Sequence, residues 1–342
     1  MPEKKPLVRR RFLVLAVGVP FVLLSAGLAF TTCMPGSSRP DRDVTPSADD
    51  PERAAELRRD VEQLATTIGE RNVTHPTALA AARDHIEAEF AKAGLTSSRE
   101  TFSVSGVACS NIIAEIPGTT HPREIVVVGA HYDSVVGSPG ANDNATGTAT
   151  LLALARRFAR AQSARTLRFI AFVNEEPPWF QTDDMGSRVN AKASRARGDD
   201  IVAMISLETL GCYSDADGSQ RYPLPILELA YPSRGDFVAF VGNLSSRTLV
   251  RESIRTFRRS NTLASEGAAL PEFVSGVGWS DHESFWREGY PAFMVTDTAV
   301  YRDANYHTRG DVPDAIHYAN LARVVLGLES VVAQLARSSA RD

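Results

Sequence analysis

The sequence predicts an α/β protein with a mixed, mainly parallel central sheet and helices on both faces. Two observations carry this. First, short apolar runs rich in Val and Ile end abruptly in ionisable residues. Residues 125–130 precede His131, Tyr132 and Asp133; residues 169–173 precede Asn174, Glu175 and Glu176; residues 201–207 precede Glu208; residues 291–296 precede Asp297. Continuous runs of this kind read as strands buried on both faces. Second, they alternate with helical segments, the pattern of parallel strands joined by crossover helices. In an open α/β sheet the ligand site lies outside the carboxyl ends of the strands. His, Asp and Glu side chains are therefore expected to converge at one sheet edge.

The elements follow in order. Asp50 and Pro51 suit a helix start, and Leu57, Val61, Leu64, Ala65 and Ile68 recur on one helical face. A second helix is expected over residues 76–92, with Leu79, Ala82, Ile86 and Phe90 inward and Gly94 as its stop. Strands are expected near 100–104, 111–116 and 124–130, then a helix over 145–161 and a strand over 167–173. A helix near 188–195 leads to the strand 201–207. Residues 237–241 read as a strand and 249–257 as part of a helix. Between about 209 and 273 lies a less regular stretch, expected as an insertion covering the site. The strand 292–296 and a helix over 314–335 complete the chain.

Composition narrows the function classes. The chain has 342 residues, 43% hydrophobic and 23% charged, as a globular protein has. A net charge of −4, with no basic stripe interleaved with aromatics, excludes nucleic acid as a partner. The three cysteines, Cys33, Cys109 and Cys212, form no closely spaced pair, which excludes a thiolate zinc site. A Cys109–Cys212 disulfide is left open.

The N-terminus divides into a basic tail, an apolar stretch and a linker. Residues 1–11 carry Lys4, Lys5, Arg9, Arg10 and Arg11. Residues 12–30 are apolar over 19 positions, near the ~20 needed to span a bilayer. The basic flank predicts a cytoplasmic N-terminus and an exported remainder. An uncleaved anchor and a cleaved signal peptide both fit, and the anchor is favoured. The residues before Cys33 make a poor lipoprotein cleavage site. Residues 31–50, rich in Pro, Ser, Gly and charge, are expected to form a flexible linker to a domain over 51–342.

Taken singly, His131 would be a structural histidine, Asp143 a helix cap and Glu175-Glu176 a solvated loop. Adjacent buried carboxylates repel, however, and a cation relieves this by binding one while the other stays free as a general base. Glu208, the Ser280-Asp281-His282 segment and His307 add further ligand types at strand ends or on loops. Together these residues favour a metal site over independent accidents.

The order of motifs resembles the zinc aminopeptidases of metallopeptidase family 28. Relatives of that family include bacterial leucine-type aminopeptidases, glutamate carboxypeptidase II and glutaminyl cyclases. The shared features are His131-x-Asp133, the Gly140-x-x-Asp143-Asn144-x-x-Gly147 loop, Glu175-Glu176, an acidic residue at 208, Ser280-Asp281-His282 and Tyr306-His307-Thr308, from about residue 70 to the last helix. The resemblance implies the family's sandwich fold and two zinc ions per chain bridged by Asp143. His131 and Glu208 would hold one ion, Glu176 and His307 the other. Glu175 would be the general base and Tyr306 would help stabilise the oxyanion. Asp133 would orient His131, with Asp281 and His282 in support. The substrate would be a peptide or aminoacyl compound, and the membrane would be met through the N-terminal segment. A glutaminyl-cyclase-like acyltransferase with one zinc, in which His131 is no ligand, and a catalytically inactive binding ectodomain are the alternatives.

Two departures from the family pattern stand out. Glu208 occupies a position where the family usually has Asp. The family's Gly-Leu segment after the Glu pair is replaced by residues 177–187, whose Trp179 and Phe180 are expected to form a substrate wall.

Overall fold

The computed structural model describes residues 22–39, 50–260 and 263–337. The expected basic tail, the apolar stretch up to residue 21 and linker residues 40–49 lie outside the described residues.

In chain order the helices are α1 (Val22–Thr32), α2 (Asp50–Glu62), α3 (Pro76–Lys92), α4 (Gly147–Phe158), α5 (Gly186–Arg197), α6 (Arg247–Ser260), α7 (His282–Arg287), α8 (Ala299–Arg302) and α9 (Tyr318–Ala336). The strands are β1 (Ser97–Val104), β2 (Val107–Ile116), β3 (His121–His131), β4 (Arg165–Phe172), β5 (Asp200–Leu207), β6 (Phe237–Gly242), β7 (Ala264–Ala269) and β8 (Ala292–Thr296). Among the described residues these strands form one sheet in the order β1-β2-β4-β3-β5-β8-β6-β7. The four central strands β4, β3, β5 and β8 run parallel. Antiparallel pairs flank them at β1–β2, β2–β4 and β8–β6.

Burial on both faces explains the apolar runs. Along β3, Val126 and Val128 face a core built with α2, α4 and α9, while Ile125 and Val127 face a second core with Ala191 of α5 and Phe285 of α7. The expected helices form. Gly94, with φ +85°, ends α3 as anticipated, and the Leu95 amide donates back to the Phe90 carbonyl. The last helix, α9, is long and apolar enough to cross a membrane, but 56% of it is buried inside the domain. It is a core helix.

Three local readings differ from the sequence expectation, and the one left open, the pairing of Cys109 with Cys212, is closed. Strand β7 was not foreseen, because Ala-Ser-Glu-Gly-Ala-Ala lacks the β-branched and aromatic residues that mark strands. His282 opens the short helix α7 instead of lying outside helices. Cys109 and Cys212 are both free thiols. Finally, residues 33–39 of the expected flexible linker form a strap along the edge strand β7. Met34 packs over Gly267, where a Cβ would come within 2.8 Å of it. The Ser265 amide donates to Ser38 O at 2.8 Å, and Arg258 donates to Pro35 O and Gly36 O. Arg39 forks onto Asp236 at 2.8 and 3.0 Å. The strap thus covers a sheet edge that would otherwise offer unpaired backbone groups.

Phe240 of β6 stacks on Phe293 and meets Phe257 of α6 edge-on, joining the outer strands to the helical layer. Phe240→Ala should cost about 3–5 kcal/mol, read as a lowered urea midpoint with little change in slope.

Candidate metal centre

Because β3, β4, β5 and β8 are parallel, their carboxyl ends share one edge of the sheet. Each delivers its ionisable residues there: His131 at the end of β3 and Asp133 just after it, Glu175 and Glu176 after β4, Glu208 after β5, Asp297 after β8. Asp143 comes from the loop before α4. It is not that helix's cap: α4 begins at Gly147, and Asp143 has the non-helical angles φ −110° and ψ 92°. His307 reaches in from a loop after α8, with φ +58°.

Two groups of three ligands result, and they share Asp143. His131 Nε2 lies 3.2 Å from Asp143 Oδ1 and 3.2 Å from Glu208 Oε2. His307 Nε2 lies 3.1 Å from Asp143 Oδ2 and 3.2 Å from Glu176 Oε2. Tetrahedral zinc, with bonds of about 2.0–2.2 Å, separates its N and O ligands by about 3.3–3.6 Å. His131 Nε2, His307 Nε2 and Asp143 Oδ1 are buried without a hydrogen-bond partner. Orphaned imidazole nitrogens converging on carboxylates at this spacing fit two cations. Glu175 belongs to neither group; its Oε2 is 3.8 Å from His131 Nε2.

The electrostatics agree. Burial pushes Glu176 up to about 8, with Asp143 adding repulsion and His307 opposing. Burial likewise raises Glu175 well above the usual carboxylate range, aided by Glu208 and Glu176 against His131. Burial works to lower His307, but Asp143 and Glu176 outweigh it and push the imidazole up to about 10. Too much negative charge is enclosed for two imidazoles to balance, and bound cations would relieve it.

The supporting residues explain why the ligands hold their places. Asp133 Oδ1 lies 3.4 Å from His131 Nδ1, and the same carboxylate accepts the backbone N–H groups of Glu175 (3.2 Å) and Glu176 (3.1 Å). One carboxylate thus faces the imidazole and holds the Glu-Glu turn. Ser280 Oγ donates to Glu208 Oε2 at 2.9 Å. His282 is a neutral structural residue. It donates Nε2–H to Val277 O at 2.8 Å, and burial lowers it to about 4. Asp281 is fully buried, and burial pushes it up to about 7, with His131 and the Ser187 hydroxyl opposing. The Tyr306 ring stacks on His307 at 3.9 Å.

Sequence reasoning missed three residues. Asp311 accepts the amides of Asn142 (2.6 Å) and Asp143 (3.0 Å). Asp297, noticed only as a strand end, holds Asn142 Nδ2, Thr209 Oγ1 and the Cys212 amide. Fully buried Arg71 donates to the carbonyls of Tyr132, Pro139 and Gly140. No local signal marks Asp311 or Arg71, and none marks Asp297 beyond its strand end, since each acts on groups far away in sequence.

Beside the centre lies an apolar cavity of about 110 Å³. Glu208 and Tyr306 border it, and Leu270, Val277, Trp279 and Met294 are among the apolar residues lining it. Trp179 and Phe180 are half-buried and do not line this cavity. Their loop nevertheless abuts its wall, because Gln181 Nε2 donates to Gly278 O at 3.2 Å.

The sequence profile of peptidase family M28 matches residues 111–332. The Escherichia coli (strain K12) protein YfbL, described as uncharacterised, is 36% identical over 292 residues, covering 83% of this chain and 88% of its own. A probable leucine aminopeptidase of Arthroderma otae is 29% identical over 237 residues, covering 64% of this chain and 55% of its own. The zinc aminopeptidase BSAP of Bacillus subtilis shares the fold, with TM-score 0.66 at 16% identity over 85% of this chain and 97% of its own. A glutaminyl cyclase of Fimbriiglobus ruber does so at TM-score 0.60 and 20% identity, over 86% of this chain and 99% of its own.

Asp143→Ala should lose bound metal altogether. Asp133→Ala should keep the fold but weaken zinc binding about 10–100-fold, measured by competition with a chromogenic chelator; unchanged affinity would make Asp133 a bystander.

Proposed function

The chain belongs to peptidase family M28, and we propose that it is an exported two-zinc aminopeptidase. The observation that carries this reading is the pair of three-ligand groups sharing Asp143, each with an imidazole nitrogen that has no other partner. Zinc held there would supply Lewis-acid polarisation of a carbonyl and acidify water at neutral pH. Glu175, outside both groups and enclosed beside them, takes the proton from the attacking water and passes it to the leaving amine. Tyr306, at the rim of both centre and cavity, offers its hydroxyl to the carbonyl oxygen as charge develops.

The glutaminyl-cyclase reading needs one ion and a non-ligating His131. The approach of His131 Nε2 to both Asp143 and Glu208 favours two. Retention of Glu175 beside a full ligand set argues against an inactive ectodomain. The apolar cavity next to Glu208 suits an apolar N-terminal side chain, with the free α-amine near the carboxylates. Export rests on the basic start and the apolar residues 12–30.

Metal analysis paired with aminoacyl chromogenic substrates tests the whole reading. Two zinc ions per chain, cleavage of free-amine substrates and none of N-acetylated ones are expected; one zinc per chain with cyclisation of N-terminal glutamine would overturn it. Glu175→Gln should retain both metals while turnover drops about 10²–10⁴-fold. Met294→Trp fills the cavity and should lower kcat/KM for a leucyl substrate about tenfold or more relative to an alanyl one. Profiling Trp179→Ala on the same panel decides whether that loop touches substrate: an unaltered preference order removes it from the pocket.

A further inference from the structure

The strap and the helix before it point to a surface that the peptidase reading does not use. Helix α1 is apolar and largely exposed, with Val22, Leu23 and Leu24 58–65% accessible. It does not lead into a free tether. Arg247, at the start of α6, lays its guanidinium 4.0 Å over the Phe30 ring and donates Nε–H to Phe30 O at 2.7 Å. Arg251, one turn on, donates to Cys33 O. The strap then follows, hydrogen-bonded down to Arg39. The end of α1 is thus fixed to one corner of the domain, where β6 ends and α6 begins.

That corner is apolar where it faces outward. Leu244, whose carbonyl accepts the Arg247 amide, is 46% exposed, and Phe30 is 53% exposed. Phe273 is 88% exposed, in the loop that Glu272 pins to the corner by accepting from Asn243 Nδ2 at 2.8 Å. Aromatic and leucine side chains beside arginines, at the foot of an apolar helix, are what a membrane interface selects. The rings and aliphatic chains enter the headgroup boundary while the guanidinium groups stay at phosphate depth.

We propose that this corner, made by Phe30, Leu244 and Phe273 with Arg247 and Arg251, seats the peptidase domain on the outer surface of the bilayer that α1 enters. The occupant is the lipid interface itself. Continuity with α1 selects it over a protein partner, because the docked strap leaves the corner no slack to move away. The proposal rests on the anchor reading of the N-terminal segment. It fixes orientation as well. The corner lies where β8 begins and the metal ligands where it ends, since Gly242 pairs with Phe293 and the Ala292 amide donates to Ser246 Oγ. A five-residue strand spans about 17 Å. The metal centre is therefore held above the headgroups, open to peptides from the aqueous side.

The test uses the full chain reconstituted in vesicles of phosphatidylethanolamine and phosphatidylglycerol. The added emission of Phe273→Trp, taken as the difference from wild type, should shift to the blue and be quenched by brominated lipids. That of Val312→Trp, an exposed position beside the metal-centre loops, should not. Retention of the protein in the vesicles without quenching at 273 overturns the seating while leaving the anchor intact. Equal quenching at 273 and 312 overturns the orientation. Release by high salt without detergent overturns the anchor reading and the seating with it.

Discussion

Asp143 stands between two imidazoles, one oxygen 3.2 Å from His131 Nε2 and the other 3.1 Å from His307 Nε2. Much of the surrounding framework serves to hold it there. Its amide and that of Asn142 are gripped by Asp311, and the side chain of Asn144 is tied to Leu207 O at the end of β5. Arg71 threads under the same loop and spends its donors on main-chain carbonyls. Burial lowers that guanidinium to about 10, still cationic at neutral pH, so it also offsets part of the carboxylate charge. A buried cation committed to backbone is costly. It is tolerable here because Asp133, Asp311 and Asp143 all pull the other way.

Asp133 links the two halves of the centre. By facing His131 and accepting both amides of the Glu-Glu turn, it makes the imidazole of one group and the carboxylate of the other depend on one side chain. That arrangement separates the roles of the adjacent glutamates. The turn carries Glu176 toward His307 and leaves Glu175 outside both groups. Glu208, longer by a methylene than the residue usual at its position in the family, still reaches the His131 side. Ser280 steadies it from below and is itself hydrogen-bonded to Ser206 at 2.8 Å.

The docked strap changes how the domain relates to whatever lies before it. A Pro- and Ser-rich stretch is normally a tether that transmits no orientation. Here Met34 and Ser38 are bound along β7 and Arg39 to Asp236 just before β6, close to the outer strands that wall the apolar cavity. Protection of the sheet edge and orientation of the domain therefore come from the same residues.

The sequence by itself determined the parallel core and most of the candidate ligands. Val- and Ile-rich runs ending in His131, Glu175-Glu176 and Glu208 can be recognised locally, and parallel strands necessarily deliver their carboxyl ends to one edge. It also located Asp143 and His307 through their motifs, while allowing Asp143 to be a mere helix cap. What it could not determine was anything that depends on contacts between distant segments. Asp311 and Asp297 act 155–169 positions away from the loop they hold, and Arg71 resembles any surface arginine until its burial is seen. Strand β7, made of small residues, exists through pairing with β6, and the strap is ordered because α6 presents arginines to its carbonyls. Only the tertiary structure decided these, because a backbone hydrogen bond carries no record in sequence of which distant side chain will make it.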